Sequence, residues 1–473
     1  MEMEDKEKQK FIRMTTIPVE RLVCRLAVPT IISMLVSGLY NVVDTFFVGK
    51  ISNEATAGVG LVLPIMAIIQ AFGFFFGQGS GNYISRSLGE REVKRAEIMA
   101  ATGSICALLF GLLITVLGLV FKSGVLYVLG ARRGVLDELT VRYTGEYMSI
   151  ILCGAPFLCL SCVLNNQLRF QGNAFFSMVG LVSGAVLNCV LDPIFIFALG
   201  WGIKGAALAT ILGQAVSCIL LYIGTLRSDS LKIHLRNFSP TPYYLLNICR
   251  GGLPSLFRQG FNSLSSMCLN GAAVAAASAA LATQTVAAFT VVNKITMLAF
   301  SAIIGFGQGF QPICGFNYGA QRYDRVRTAY IFCLKVSFVF LIVLDIIGFI
   351  FAGDIVAIFR DDAQVIAIGQ TIMRCQCCGF WLAGLAVMTN MLYQNIGRTG
   401  WASLLAMARQ GLFFIPSLLI LPHVLSVPIW GVYISQPLSD VCSFLLALPL
   451  AIMMYRELKA REAGTYTAKS KAV

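Results

Sequence analysis

Five acidic residues fall inside or at the edge of long apolar runs: Asp44, Asp192, Asp345, Asp440 and Glu146. A carboxylate in hydrocarbon costs several kcal/mol unless a partner or a wet cavity receives it, so each is a functional candidate. Position separates them. Asp44, in YNVVDTFFVG, lies about five residues before the outer end of the first run. Asp192, in VLNCVLDPIFIF, lies about six residues before the outer end of the fifth. At 1.5 Å of rise per residue both are roughly 8 Å deep. Asn188 precedes Asp192 by four residues and so shares its helix face. Thr210, in GAALATILG, enters from the same side on the sixth run, about 10 Å deep. Two carboxylates, an amide oxygen and a hydroxyl at one level suit a hard cation such as Na⁺. They suit a shared proton equally, because two close carboxylates repel when both are ionised. A hydrogen-bonded structural cluster is the remaining alternative.

Elements long enough to carry these residues are plain in the composition. Of 473 residues, 57% are hydrophobic and 12% charged, about half the charge of a soluble chain of this length. Apolar runs at 22–48, 58–84, 98–121, 142–165, 174–198, 203–226, 245–274, 284–310, 328–352, 366–394, 401–422 and 428–455 each match the length of a membrane span. The fold class is therefore an all-α polytopic membrane protein with twelve transmembrane helices. About 23 Lys and Arg fall in alternate loops, against about seven on the other side (Lys50, Lys122, Arg132, Arg133, Arg142, Lys204 and Arg360). The positive-inside rule then puts both termini in the cytoplasm. No cleavable signal peptide precedes the first run: MEMEDKEKQKFIRM is polar where an apolar core is required.

The halves repeat. GQGSGNYISRSLGEREVKRAE at 77–97 parallels GQGFQPICGFNYGAQRYDRVR at 307–327; WGIKG parallels WGVYI; Pro29 parallels Pro254. An offset of 225–230 residues is six spans, which keeps both halves in one orientation. Two six-helix lobes about a pseudo-twofold axis along the membrane normal are expected. The divisions are an N-terminal lobe at 1–226, a cytoplasmic linker at 227–244, a C-terminal lobe at 245–455 and a cytoplasmic tail at 456–473. At the repeat offsets Asp44 falls on Leu269 to Val274 and Asp192 near Leu421, so the carboxylate pair belongs to the first half. Arg258, Gln259, Asn262 and Asp440 are candidates for lining a substrate cavity between the lobes. For Asp345 a basic structural partner is expected.

Other chemistries are weak. The net charge of +13 sits in short loops, which argues against nucleic acid. Most of the fifteen cysteines lie in apolar runs, where Cys behaves as a small hydrophobe. Of Cys375, Cys377 and Cys378, the last two are adjacent and point in different directions on a helix, so one metal could not easily collect all three and no metal site is expected. Neither His234 nor His423 has a nucleophile or ligand set beside it, so no enzyme is expected.

Four segments together, VPTIISMLVSGLYNVVDTFFVGKISNEATAGVGLVLP, GQGSGNYISRSLGERE, LNCVLDPIFIFALGWGIKGAALAT and GFGQGFQPICGFNYGA, resemble the bacterial multidrug and toxic compound extrusion (MATE) transporters over about residues 15–455. The resemblance implies alternating-access export of cationic or amphipathic drugs or metabolites by antiport with Na⁺ or H⁺. No cofactor beyond that coupling ion is implied. Asp44, Asn188, Asp192 and Thr210 match the family's N-lobe cation site, and would be metal ligands if Na⁺ is the ion. Some relatives carry acids on spans 7 and 10; here span 7 has Gln259 and Asn262, and span 10 has none. The expected setting is the bilayer of the cell inner membrane, with the chain a multi-pass monomer. A flippase or exporter of a lipid-linked or metabolic substrate is the alternative.

Overall fold

The computed structural model describes residues 2–131, 137–227, 231, 233–276 and 282–464. Arg132, Arg133, Lys232, Lys469 and Lys471 of the charge count lie outside these, as do 228–230 of the linker and 465–473 of the tail. Among the described residues there are helices and their connections and no strand. A helix satisfies its backbone N–H and C=O groups internally, which hydrocarbon demands of any spanning segment.

In the first half, α1 (Glu2–Thr16) leads into α2 (Val19–Gly49), α3 (Asn53–Gly89), α4 (Val93–Val120), the short α5 (Lys122–Val128), α6 (Glu138–Phe170), α7 (Ala174–Pro193) and α8 (Gly202–Leu226). In the second half follow α9 (Pro242–Ala276), α10 (Ala282–Gly319), α11 (Tyr323–Ile350), the short α12 (Ala352–Ala357), α13 (Ala363–Cys377), α14 (Ala383–Ile396), α15 (Thr399–Met407), α16 (Phe414–Val424) and α17 (Pro428–Glu462). Twelve long helical segments therefore stand where twelve spans are predicted, most running past the apolar stretch at one or both ends. Eleven are apolar and long enough to cross a membrane. The exception is α9, which carries Arg250, Arg258, Gln259, Asn262 and Asn270.

Three predicted spans, the fifth, the tenth and the eleventh, are not continuous α-helices, the fifth passing into a π-helical turn at Ile194–Ala198. The tenth breaks between α13 and α14 into a 3₁₀ turn at Phe380–Leu382. At this break a Cβ on Gly379 would lie 3.0 Å from the Pro437 backbone, so α17 approaches the break closely. The eleventh widens into a π-helical turn at Ala408–Phe413 between α15 and α16.

The chain divides into two compact units: Met1–Arg13 with Arg25–Leu256, and Met14–Cys24 with Phe257–Val473. All three changes of unit occur within helices, the first of them after Arg13 in α1. In α9 the change comes just after Pro254, and in α2 just before Pro29. These are the two prolines paired by the repeat, and each removes a backbone donor and permits a bend. Side chains satisfy the backbone around Pro29. Thr30 Oγ1 donates to the Leu26 and Ala27 carbonyls at 3.1 and 2.8 Å, and Ser33 Oγ donates to the Pro29 carbonyl at 2.9 Å.

The repeat reaches the backbone turn by turn. Arg91 and Gln321 both adopt positive φ, 62° and 58°, a conformation uncommon outside glycine. Around them Glu90 N–H donates to Arg86 O and Glu92 N–H to Ser87 O. At an offset of 230, Ala320 N–H donates to Phe316 O and Arg322 N–H to Asn317 O. At an offset of 225, Asn165 Nδ2 donates to Ser177 O and Asn390 Nδ2 to Ala402 O. The two halves thus carry the same turns in the same order.

Topology is open to a direct check. His234 is exposed in the linker. In a background lacking native thiols, His234→Cys should react with an impermeant maleimide only after cells are permeabilised. Labelling of intact cells would reverse the topology that the Lys and Arg distribution predicts.

Candidate functional site

The four predicted residues converge within the first unit because α7 and α8 cross at glycines. A Cβ on Gly184 would lie 2.5 Å from the Gly213 carbonyl oxygen, and one on Gly213 would lie 2.7 Å from the Gly184 carbonyl. Only residues without side chains let the backbones approach this closely. The crossing sets Asn188, one turn beyond Gly184, beside Thr210. Asn188 Nδ2 donates to Asp192 Oδ1 at 3.3 Å and to Thr210 Oγ1 at 3.4 Å, while Thr210 Oγ1 donates to the Ala206 carbonyl at 3.0 Å. Immediately past Asp192, Pro193 ends the regular helix and a π-helical turn runs over Ile194–Ala198. The start of α8 packs on that turn, where a Cβ on Gly205 would lie 2.7 Å from the Phe195 backbone. Single π turns are frequent where a helix supports a functional site.

From α2, Asp44 faces Asp192 closely enough for its charge to act on that carboxylate. All four side chains are enclosed: Asp44 is 8% exposed, Asn188 and Thr210 1%, Asp192 0%. Asp44 Oδ1 is buried and accepts no hydrogen bond from any described residue. Two tyrosines complete the cluster. Tyr40, one turn before Asp44, reaches Thr210 and lies within the field of both carboxylates. Tyr147 on α6 is fully buried and faces Asp44, Asp192, Tyr40 and Thr210. Buried polar atoms in folded proteins are nearly always paired. The unpaired Asp44 Oδ1, on one member of a carboxylate pair, marks a place prepared for a charged guest. Tyr40 was visible in YNVVD as the i−4 neighbour of Asp44, whereas no local pattern points to Tyr147.

The cavity candidates are not gathered in this way. Arg258 and Gln259 are half-buried on α9, Asn262 is exposed, and none hydrogen bonds through its side chain to a described residue. Asp440 is turned into the second unit at 0% exposure. It accepts from Arg409 Nε at 2.6 Å, Arg409 Nη2 at 3.4 Å and Gln436 Nε2 at 3.2 Å. The Arg409 guanidinium lies 4.5 Å from the Phe300 ring centroid and 5.5 Å from that of Phe380, and Ser439 Oγ donates to its carbonyl. Asp345 has no basic partner among the described residues. Its Oδ2 accepts the Trp381 backbone N–H at 2.8 Å, because the 3₁₀ break frees that donor and Arg409 is committed to Asp440. Glu146 sits at the rim between Arg142 and Lys204, at 3.1 and 3.4 Å.

Twelve long helices in two repeated units, with a buried carboxylate pair in one unit, define a polytopic membrane transporter. The chain belongs to the MatE family, whose model matches residues 29–194 and 255–419, one stretch in each half. It is similar to the multidrug export protein MepA of Staphylococcus haemolyticus, 27% identical over 424 residues that span 89% of this chain and 90% of that one. MepA of Staphylococcus aureus is 25% identical over 435 residues, 91% of this chain and 93% of that one. Among solved structures, a MATE protein in complex with MaL6 aligns with a TM-score of 0.87 at 28% identity, covering 96% of this chain and 99% of that one. A transporter of the MOP superfamily from Pyrococcus furiosus, described as having a binding pocket of reverse polarity, aligns with a TM-score of 0.86 at 28% identity, covering 95% and 98%. This is a multidrug-transporter family, and the protein is a transporter rather than an enzyme.

Proposed function

We propose that the protein is a secondary active antiporter, exporting cationic or amphipathic compounds in exchange for Na⁺ or H⁺ by alternating access. The observation that carries this reading is the buried pair Asp44 and Asp192, with Asp44 Oδ1 accepting no hydrogen bond from any described residue. Two ionised carboxylates in an enclosed site repel, so the cluster favours a bound cation or a proton. Loaded and empty forms then differ in buried charge, and that difference biases two packings of the helices that carry the site. Asn188 donates to Asp192 and Thr210 as it stands. An amide's nitrogen and oxygen exchange places on a 180° flip, so the same side chain can present its oxygen to Na⁺. The MepA relatives are named as multidrug export proteins, which supports drugs as cargo. Both termini are placed in the cytoplasm.

Arg258, half-buried in α9 with no hydrogen-bonding or ion-pair partner among the described residues, favours the second reading, export of an anionic lipid-linked or metabolic substrate. An organic anion exported by wild type but not by Arg258→Ala would support it.

The first reading is tested by the neutral ligands. Asn188→Ala and Thr210→Ala remove oxygens but no charge. Each should raise the concentration of coupling cation needed for half-maximal export about tenfold, with the maximum recovered at higher cation, since one neutral contact is worth about 1–2 kcal/mol. Unchanged cation dependence in both variants would remove these residues from the site.

A further inference from the structure

In the second unit, α11 and the broken tenth span enclose a groove of about 480 Å³ lined by Ile342, Asp345, Ile346, Phe349, Cys378 and Trp381. Its walls face away from the unit: Ile342, Ile346 and Phe349 are 41–54% exposed, on a helix apolar enough to cross a membrane. Exposed apolar side chains on such a helix are lipid-facing. A carboxylate does not belong there without a reason. Asp345 is 93% buried, and one oxygen is held by the Trp381 N–H. Its other oxygen, Oδ1, accepts no hydrogen bond from any described residue, and Asp345 lines the groove.

We infer that this groove binds a lipophilic organic cation, with Asp345 Oδ1 as its counter-charge and Trp381 and Phe349 as aromatic walls. The neighbouring charges leave that role open. The nearest other acid, Asp440, is neutralised by Arg409, and Cys377 beside Asp345 is packed against Gly348. Arg374 stands at the rim, its Nε donating to the Phe349 carbonyl at 3.3 Å and its guanidinium 5.6 Å from the Phe349 ring. The acid is therefore four residues deeper than the base, about 6 Å along α11. A zwitterionic phospholipid carries its ammonium outside its phosphate, the reverse of this order. Na⁺ is a poor occupant too: one carboxylate oxygen among isoleucines and rings cannot replace a hydration shell. An ammonium or phosphonium wrapped in apolar groups gains the charge, the cation–π contact and the apolar wall together.

The inference goes beyond the antiport reading, since none of its residues belongs to the Asp44 cluster. It is tested on purified full-length protein in phosphatidylcholine nanodiscs. The sequence has four tryptophans, so Trp201→Phe, Trp401→Phe and Trp430→Phe leave Trp381 as the only indole. Tetraphenylphosphonium should change Trp381 emission saturably, and neutral triphenylphosphine oxide should not. Asp345→Asn keeps an acceptor for the Trp381 N–H, so the break persists, yet half-saturation should shift at least tenfold upward. Cys378→Phe fills the groove without touching the carboxylate and should weaken binding similarly. Unsaturable emission changes, equal responses to the phosphonium and the oxide, or unshifted binding in Asp345→Asn would overturn the proposal. Repeating the titration in Asp44→Asn separates the two readings. Groove binding should be unchanged there, while export by that variant bears on the antiport reading alone.

Discussion

Asp44→Asn and Asp192→Asn should each stop uphill export while the protein still inserts and folds. Each substitution keeps the size of the side chain and removes one charge from an enclosed cluster in which Asp44 and Asp192 are 8% and 0% exposed. The attraction lost between a cation and a carboxylate about 4 Å away is roughly 4 kcal/mol at the effective dielectric of a partly buried pair. At about 1.4 kcal/mol per factor of ten, that is on the order of two to three decades of cation affinity. Loss on this scale exceeds what the neutral ligands Asn188 and Thr210 can produce, and more cation cannot restore it. Drug binding to purified Asp variants in detergent should survive, since in the proposed mechanism these charges hold the coupling cation and not the cargo. The check is drug accumulation in cells beside ligand binding to purified protein. Asp variants that lose both together would point to misfolding instead.

The second large effect is on stability. Asp440→Leu leaves the Arg409 guanidinium 9% exposed with its 2.6 Å partner gone, and breaking such a pair costs about 3–5 kcal/mol. Thermal unfolding in detergent should shift downward by on the order of 10 °C. Arg409→Met alone should be comparably harmful, because it leaves Asp440 charged or forces it to take a proton. The double variant Arg409→Met with Asp440→Leu should recover most of the loss, since two apolar residues of similar volume can replace a buried pair. Single variants with unaltered melting would show that the pair is wet and contributes little.

Much of this was legible in the sequence, for a definite reason. Spans are read from apolar length, and depth from residue count, so Asp44, Asn188, Asp192 and Thr210 could be placed at one level before any packing was known. The interruptions were not legible. Hydropathy does not register hydrogen-bond pattern, so the 3₁₀ turn at Phe380–Leu382 and the π turn at Ala408–Phe413 lie inside runs that read as uniform. Partner choice was equally hidden. Arg409 and Asp440 are 31 residues apart, and an apolar run does not say which faces of two helices meet. Once Arg409 was taken, Asp345 had to find a different donor, and the break beside it supplied the Trp381 amide. Tyr147 belongs to the same class, since only the packing of α6 brings it to the carboxylates. The changes of unit inside α2 and α9 left one trace, the proline that each carries nearby.

The coupling claim is tested most directly in proteoliposomes holding the purified protein, with a Na⁺ gradient and a pH gradient imposed separately. The quantity measured is movement of a fluorescent organic cation against its own gradient. Wild type should drive uphill movement under one of the two gradients and stop when an ionophore collapses it, while Asp44→Asn and Asp192→Asn bind the dye and move none uphill. Uphill movement at the wild-type rate by Asp44→Asn under the driving gradient would make Asp44 a structural residue and contradict the mechanism.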